Sequence, residues 1–140
     1  MKNIYEVYDE FEEATNKKEK MKVIEDNLNP TLVEVLKLTF HPGIQWLINE
    51  RPDDYIIPDT LPGVSFGQLS TELRRLYLFQ KGNPAAEQLS PEKRHQILLQ
   101  FLETLEPREA EVVISIFKKD PGVSGLTYQF VKEAFPSMLP

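Results

Sequence analysis

Four polar-proline pairs punctuate this chain, Asn29-Pro30, Asn83-Pro84, Ser90-Pro91 and Glu106-Pro107, and each reads as the start of a helix. A proline in the first helical position loses no internal hydrogen bond, and its fixed φ suits the helix. The apolar residues that follow repeat near 3.6. Leu32, Val35, Leu36, Thr39 and Phe40 share a face over about 30 to 40; Ile97, Leu98, Phe101, Leu102 and Leu105 share another; Ala110, Val113, Ile114 and Phe117 share a third. No stretch of useful length alternates with the period of two that a half-buried strand needs. The expected fold is all-α, a compact bundle of about seven to eight helices forming one domain over residues 1–140.

Earlier in the chain, Ile4, Val7, Tyr8 and Phe11 form one stripe of a first helix, with Glu6, Asp9, Glu10, Glu12 and Glu13 facing water. Thr15-Asn16 breaks that pattern. Lys17, Lys18, Lys20 and Lys22 then open a second helix whose apolar residues are Met21, Ile24 and Leu28. Cations at a helix start oppose the macrodipole, as expected of residues kept for an external anion or simply of a solvated surface. Ile44, Trp46, Leu47 and Ile48 make a short apolar segment expected in the core. Residues 51–65 hold Pro52, Pro58, Pro62 and Gly63 and cannot run as a helix; they read as a connecting loop pinned by Tyr55, Ile56 and Ile57. From Ser65 or Ser70 to Gln80, Leu69, Leu73, Leu76, Tyr77 and Phe79 predict one long helix that Gly82 stops.

Composition excludes several classes. Cysteine is absent, so disulfides and thiolate metal sites are excluded; two histidines, His41 and His95, are too few for a histidine metal cluster. No apolar run is long enough for a membrane span. Gly-x-Gly-x-x-Gly and P-loop patterns are missing, and Lys118-Lys119-Asp120-Pro121-Gly122 has the wrong spacing for the Lys-x-Asp-Gly of a nucleotidyltransferase. No enzymatic activity, cofactor or metal is expected. The net charge of -6 weighs against sequence-independent nucleic-acid binding, but residues 1–14 carry five acids against one lysine, so most of that charge sits at one end.

The last stretch, Lys118 to Pro140, is the least generic. Gly122 and Gly125 permit positive φ, Ser124 or Thr127 is placed to cap a helix, Tyr128, Val131, Ala134 and Phe135 give that helix an apolar face, and Pro136 ends it. Lys119-Asp120, the turn, Gly125-Leu126-Thr127, the helix and Phe135-Pro136-Ser137-Met138-Leu139-Pro140 together resemble the end of the N-terminal DNA-binding domain of ATP-dependent DNA ligases of T-even phages. The resemblance continues, in order, through Asn16 to Asn27, Leu36 to Leu47, Phe66-Gly67-Gln68-Leu69 and Gly82-Asn83-Pro84-Ala85-Ala86-Glu87-Gln88-Leu89. The same pattern is similar to a group of short phage proteins of unknown function. Where ligase relatives carry a charge inside the turn, Pro121, Gly122, Val123 and Ser124 supply none.

The resemblance implies a stand-alone, non-catalytic module in the cytoplasm of an infected cell, binding the backbone of double-stranded DNA without sequence preference. Carried over residue by residue, it implies contacts from Lys118, Lys119, Gly122, Ser124, Gly125, Thr127 and Lys132, extended by Arg74, Arg75, Lys17, Lys18 and Lys20. Unpaired N–H groups at the helix start would hold phosphate. The acidic first helix supports a second reading from a different class: an adaptor that docks on a phage or host replication, transcription or defence protein through residues 4–14 or through the tail Phe135 to Pro140.

Overall fold

Each of the four polar-proline pairs begins a helix, with proline in its first turn. The Asn29 side chain accepts from Leu32 N–H at 2.9 Å, Asn83 from Ala85 N–H at 2.9 Å, Ser90 from Lys93 N–H at 3.1 Å, and the Glu106 carboxylate from Arg108 N–H at 3.1 Å. The computed structural model describes residues 2–57 and 68–140. Among these it has eight α-helices: α1 Ile4–Glu13, α2 Lys17–Asp26, α3 Pro30–Phe40, α4 Leu69–Glu72, α5 Pro84–Glu87, α6 Pro91–Thr104, α7 Pro107–Lys118 and α8 Tyr128–Ala134, with a 3₁₀ segment at Leu73–Phe79. The fold is all-α, and a single hydrophobic cluster runs from Ile4 to Leu139. None of the described helices is long and apolar enough to cross a membrane.

α7 lies at the centre. Seven of its twelve residues are buried, and it packs against α1, α3 and α6. Phe117 meets Trp46 edge-on at 5.3 Å and Phe79 at 5.6 Å, and Phe79 continues to Phe101 at 6.1 Å, the edge-to-face geometry that aromatic quadrupoles favour. On the other side Phe11 of α1 meets Phe130 of α8 at 5.2 Å. The four-residue stripe expected on α1 is buried in full.

Three expectations need correcting. The long helix up to Gln80 is instead a single α-turn followed by 3₁₀ structure; its earlier start at Ser65, like Phe66-Gly67 and the loop from 58 on, lies outside the described residues. The reason is spacing: Leu73, Leu76 and Phe79 are three apart and eclipse on one face at three residues per turn, all buried, while Tyr77 is left exposed. Its end is drawn out by Leu47 N–H to Phe79 O and Lys81 N–H to Gln45 O, both 2.8 Å, around an isolated bridge between Trp46 and Gln80. Leu28 is exposed because α2 ends at Asp26. Of the residues meant to pin the loop, Tyr55 is buried but Ile56 and Ile57 are exposed; an ion pair of Arg51 with Glu111 and a hydrogen bond between His95 and Asp54 do the remaining tethering.

The end of α7 is fastened from inside. Lys119 adopts left-handed backbone, φ +60°, which for a residue with a Cβ costs about 1–2 kcal/mol. That turn closes with Lys119 N–H to Ile116 O at 3.0 Å and Asp120 N–H to Ser115 O at 3.1 Å, and sends the Lys119 ammonium to three carbonyls: Leu38 (3.2 Å), His41 (2.8 Å) and Ile44 (2.9 Å). One side chain thus caps the end of α3 and ties α7 to the Trp46 segment. Burial pushes the ammonium below its ordinary lysine value, and the three acceptors oppose that shift by favouring the charged form. Lys119→Met is expected to lower stability by about 2–3 kcal/mol, the penalty for part-buried carbonyls left without a charged donor. Urea unfolding of the two proteins measures it, and an unchanged midpoint would show the cage to be incidental.

Candidate functional site

The Gly-containing turn is built as expected but is committed to the fold. Gly122 and Gly125 have φ of +71° and +86° and both are exposed. Asp120 accepts from Gly122 N–H at 2.9 Å, Leu126 N–H bonds Val123 O, and Thr127 caps α8 by accepting from Phe130 N–H at 3.1 Å. Ser124 is exposed beside them. A Cβ on Gly125 would lie 3.7 Å from the Lys20 side chain, which crosses behind the turn.

Most of the cations expected to face a ligand are engaged within the protein. Lys119 serves the cage described above. Lys132 donates to Pro136 O at 3.0 Å and Leu139 O at 2.9 Å, closing its own helix and holding the tail, whose Leu139 is buried. Lys20 donates to Phe11 O at 2.7 Å and sits 4.6 Å over the Phe11 ring. Lys17 pairs with Glu133 of α8. Arg75 pairs with Glu72 at 3.0 Å and lies over Phe101. Lys18, Arg74 and Lys118 are exposed without a protein partner among the described residues. Lys118 lies in the last turn of α7 and Lys37 in the last turn of α3, two helix ends that the Lys119 side chain joins. Their first effect is to oppose the negative ends of the helices. His41 accepts from Gly43 N–H at 2.9 Å, a local turn contact.

The turn borders a groove of different character. Tyr5, Tyr8, Asp9 and Glu12 of α1, Arg108, Glu111, Val112 and Ser115 of α7, and Pro121, Gly122 and Val123 of the turn line about 200 Å³. Arg108 bonds both oxygens of Asp9 at 2.8 Å and lies 4.7 Å over the Tyr5 ring. Those hydrogen bonds hold the Asp9 carboxyl below its ordinary value. Glu111 pairs with Arg51, outside the lining, whereas Glu12 is exposed with no partner among the described residues. Three carboxylates and one guanidinium therefore line the groove beside Gly122. Arg108 is the groove cation that sequence reasoning did not single out.

Elsewhere, the starts of α1, α3, α4 and α7 converge on a cavity of about 290 Å³ lined by Asn3, Asn29, Gln68, Glu106 and Glu109 among others. Its donors are answered from within: Glu106 caps α7, and the buried Glu109 carboxylate accepts from Leu69 N–H at 2.8 Å. Burial raises the Glu109 carboxyl above its ordinary 4.5; the Leu69 bond pulls it back and Glu106 adds to the rise. The folded protein thus keeps this proton to higher pH than the unfolded chain does, so the group's contribution to stability is full below pH 4.5 and declines as pH rises through the folded value. Glu109→Gln preserves an acceptor for Leu69 and removes that slope. Urea midpoints measured from pH 4 to 7 should fall less for the variant than for the wild type, and parallel curves would contradict the assignment. Among the described residues no group of three or more metal-ligating side chains gathers at one point.

Residues 7–121 match the model of a family of unknown function (DUF6433). The chain belongs to this family. Its matched span takes in both walls of the α1–α7 groove from Val7 to Pro121, while Gly122, Gly125 and α8 fall beyond it. No curated protein matches the chain.

Proposed function

We propose that this member of the family is a non-catalytic binding module that docks a basic segment of a protein partner against the α1–α7 groove. The observation that carries this reading is the excess of carboxylates over cations in the groove lining, Asp9, Glu12 and Glu111 against Arg108, with Glu12 unpaired among the described residues, beside an exposed turn that offers a ligand no cation of its own. Charge complementarity of this kind steers encounter and selects partners. The resemblance to a phage ligase domain supports a phage or host protein as the partner, in the cytoplasm of the infected cell. The tail is the weaker candidate surface, since Lys132 and the Tyr128 hydroxyl hold it against α8.

A second reading, binding of double-stranded DNA, is favoured by Lys18, Arg74 and Lys118, exposed with no protein partner among the described residues, and by the same resemblance. One experiment separates them: fluorescence anisotropy of an arginine-rich peptide and of a short random-sequence duplex, each titrated at low and at moderate salt. The docking reading expects the peptide to bind, and Glu12→Gln to weaken it about fivefold, roughly the 1 kcal/mol of an exposed charge pair. It expects the duplex not to bind. A duplex that binds at low salt and is released by Lys118→Glu, with no peptide binding, would replace the first reading by the second.

A further inference from the structure

The α1–α7 groove already holds a guanidinium, the protein's own. Arg108 donates to both oxygens of Asp9 at 2.8 Å and lies 4.7 Å over the Tyr5 ring. Tyr5 and Asp9 are four residues apart on α1 and so share a face. A carboxylate that accepts two N–H bonds, beside an aromatic ring that receives the planar cation, is a combination that suits arginine better than lysine.

The present occupant is weakly committed to that place. The Arg108 side chain is 54% exposed and that of Asp9 45%, and an ion pair so open to water adds little to stability. α1 and α7 pack together and bury their own apolar residues, so the pair is not needed to join them. Arg108 also stands in the first turn of α7, the helix end that disfavours a cation. Its own helix offers it other carboxylates: Glu111 is three residues further on, and Glu106 lies close enough to act on the Arg108 charge. Glu12, three residues from Asp9 on α1, is exposed without a partner among the described residues, and its charge draws an incoming cation to the spot.

We propose that Asp9 and Tyr5 form a binding site for one arginine of the partner, closed in the free protein by Arg108, which the incoming arginine displaces. This rests on the docking reading above and specifies it. The test titrates a labelled peptide of alternating arginine and glycine onto wild type, Arg108→Ala, Asp9→Asn and the double variant, and follows the Arg108 side-chain NMR signals of the wild type as unlabelled peptide is added. Arg108→Ala should bind about fivefold more tightly than wild type, because an exposed pair no longer has to be broken, and the gain should be smaller when Asp9→Asn is already present. In the wild type the Arg108 signals should move, as the peptide saturates, to those of a guanidinium in water. The Tm of Arg108→Ala should stay within about 4 °C of wild type.

Mere loss of a repelling cation predicts something else: a gain as large or larger with Asp9→Asn, since Asp9 then no longer masks the Arg108 charge. That outcome overturns the site and leaves docking standing. So do Arg108 signals that stay fixed at peptide saturation, and an Arg108→Ala protein that loses Tm and affinity together. A peptide that binds neither wild type nor Arg108→Ala removes the docking reading and the site with it.

Discussion

The Lys119 ammonium, held by the carbonyls of Leu38, His41 and Ile44, is the joint on which the packing of this molecule turns. α7 is surrounded by α1, α3 and α6, and a helix so enclosed must leave the core without stranding carbonyls. The chain leaves through a left-handed lysine, and the same residue satisfies the end of α3 and fixes the segment carrying Trp46. The aromatic contacts through Phe117, Phe79 and Phe101 then fall into place on one side, and the turn leading to α8 is set on the other.

That arrangement determines how charge is presented. Lys20, Lys119 and Lys132 each donate to backbone carbonyls and act as fasteners, while Lys17 and Arg75 meet carboxylates at the surface. Beside Gly122 the surface is set by α1 and α7, which present Asp9, Glu12 and Glu111 against the single cation Arg108. At the starts of α7 and α4 the N–H groups are met by Glu106 and Glu109, and at α8 Thr127 meets that of Phe130. Two features that draw the eye toward a phosphate ligand, lysines and helix N-termini, are thus in good part engaged by the protein itself.

Local chemistry made much of the fold legible in the sequence. Polar-proline pairs mark helix starts because the cap and the missing N–H act within four residues, and the α1 stripe is read from its period alone. The 3₁₀ segment was missed because Leu69, Leu73, Leu76 and Tyr77 fit a helical period; the three-residue spacing of Leu73, Leu76 and Phe79 was the signal available. The roles of the lysines were not legible. Lys119 finds its acceptors 75 to 81 residues away, and Arg108 finds Asp9 at a separation of 99, so only the tertiary fold decides whether such a cation faces a ligand or its own backbone. For the same reason the two walls of the groove could not be joined in advance, although the acidity of α1 was plain.

The most direct test is heteronuclear NMR of the lysine side-chain ammonium groups, recorded alone and with excess duplex DNA. A Lys119 ammonium held as described gives a slowly exchanging, hydrogen-bonded signal that does not move when DNA is added. A rapidly exchanging Lys119 signal that shifts in proportion to added duplex would contradict the account.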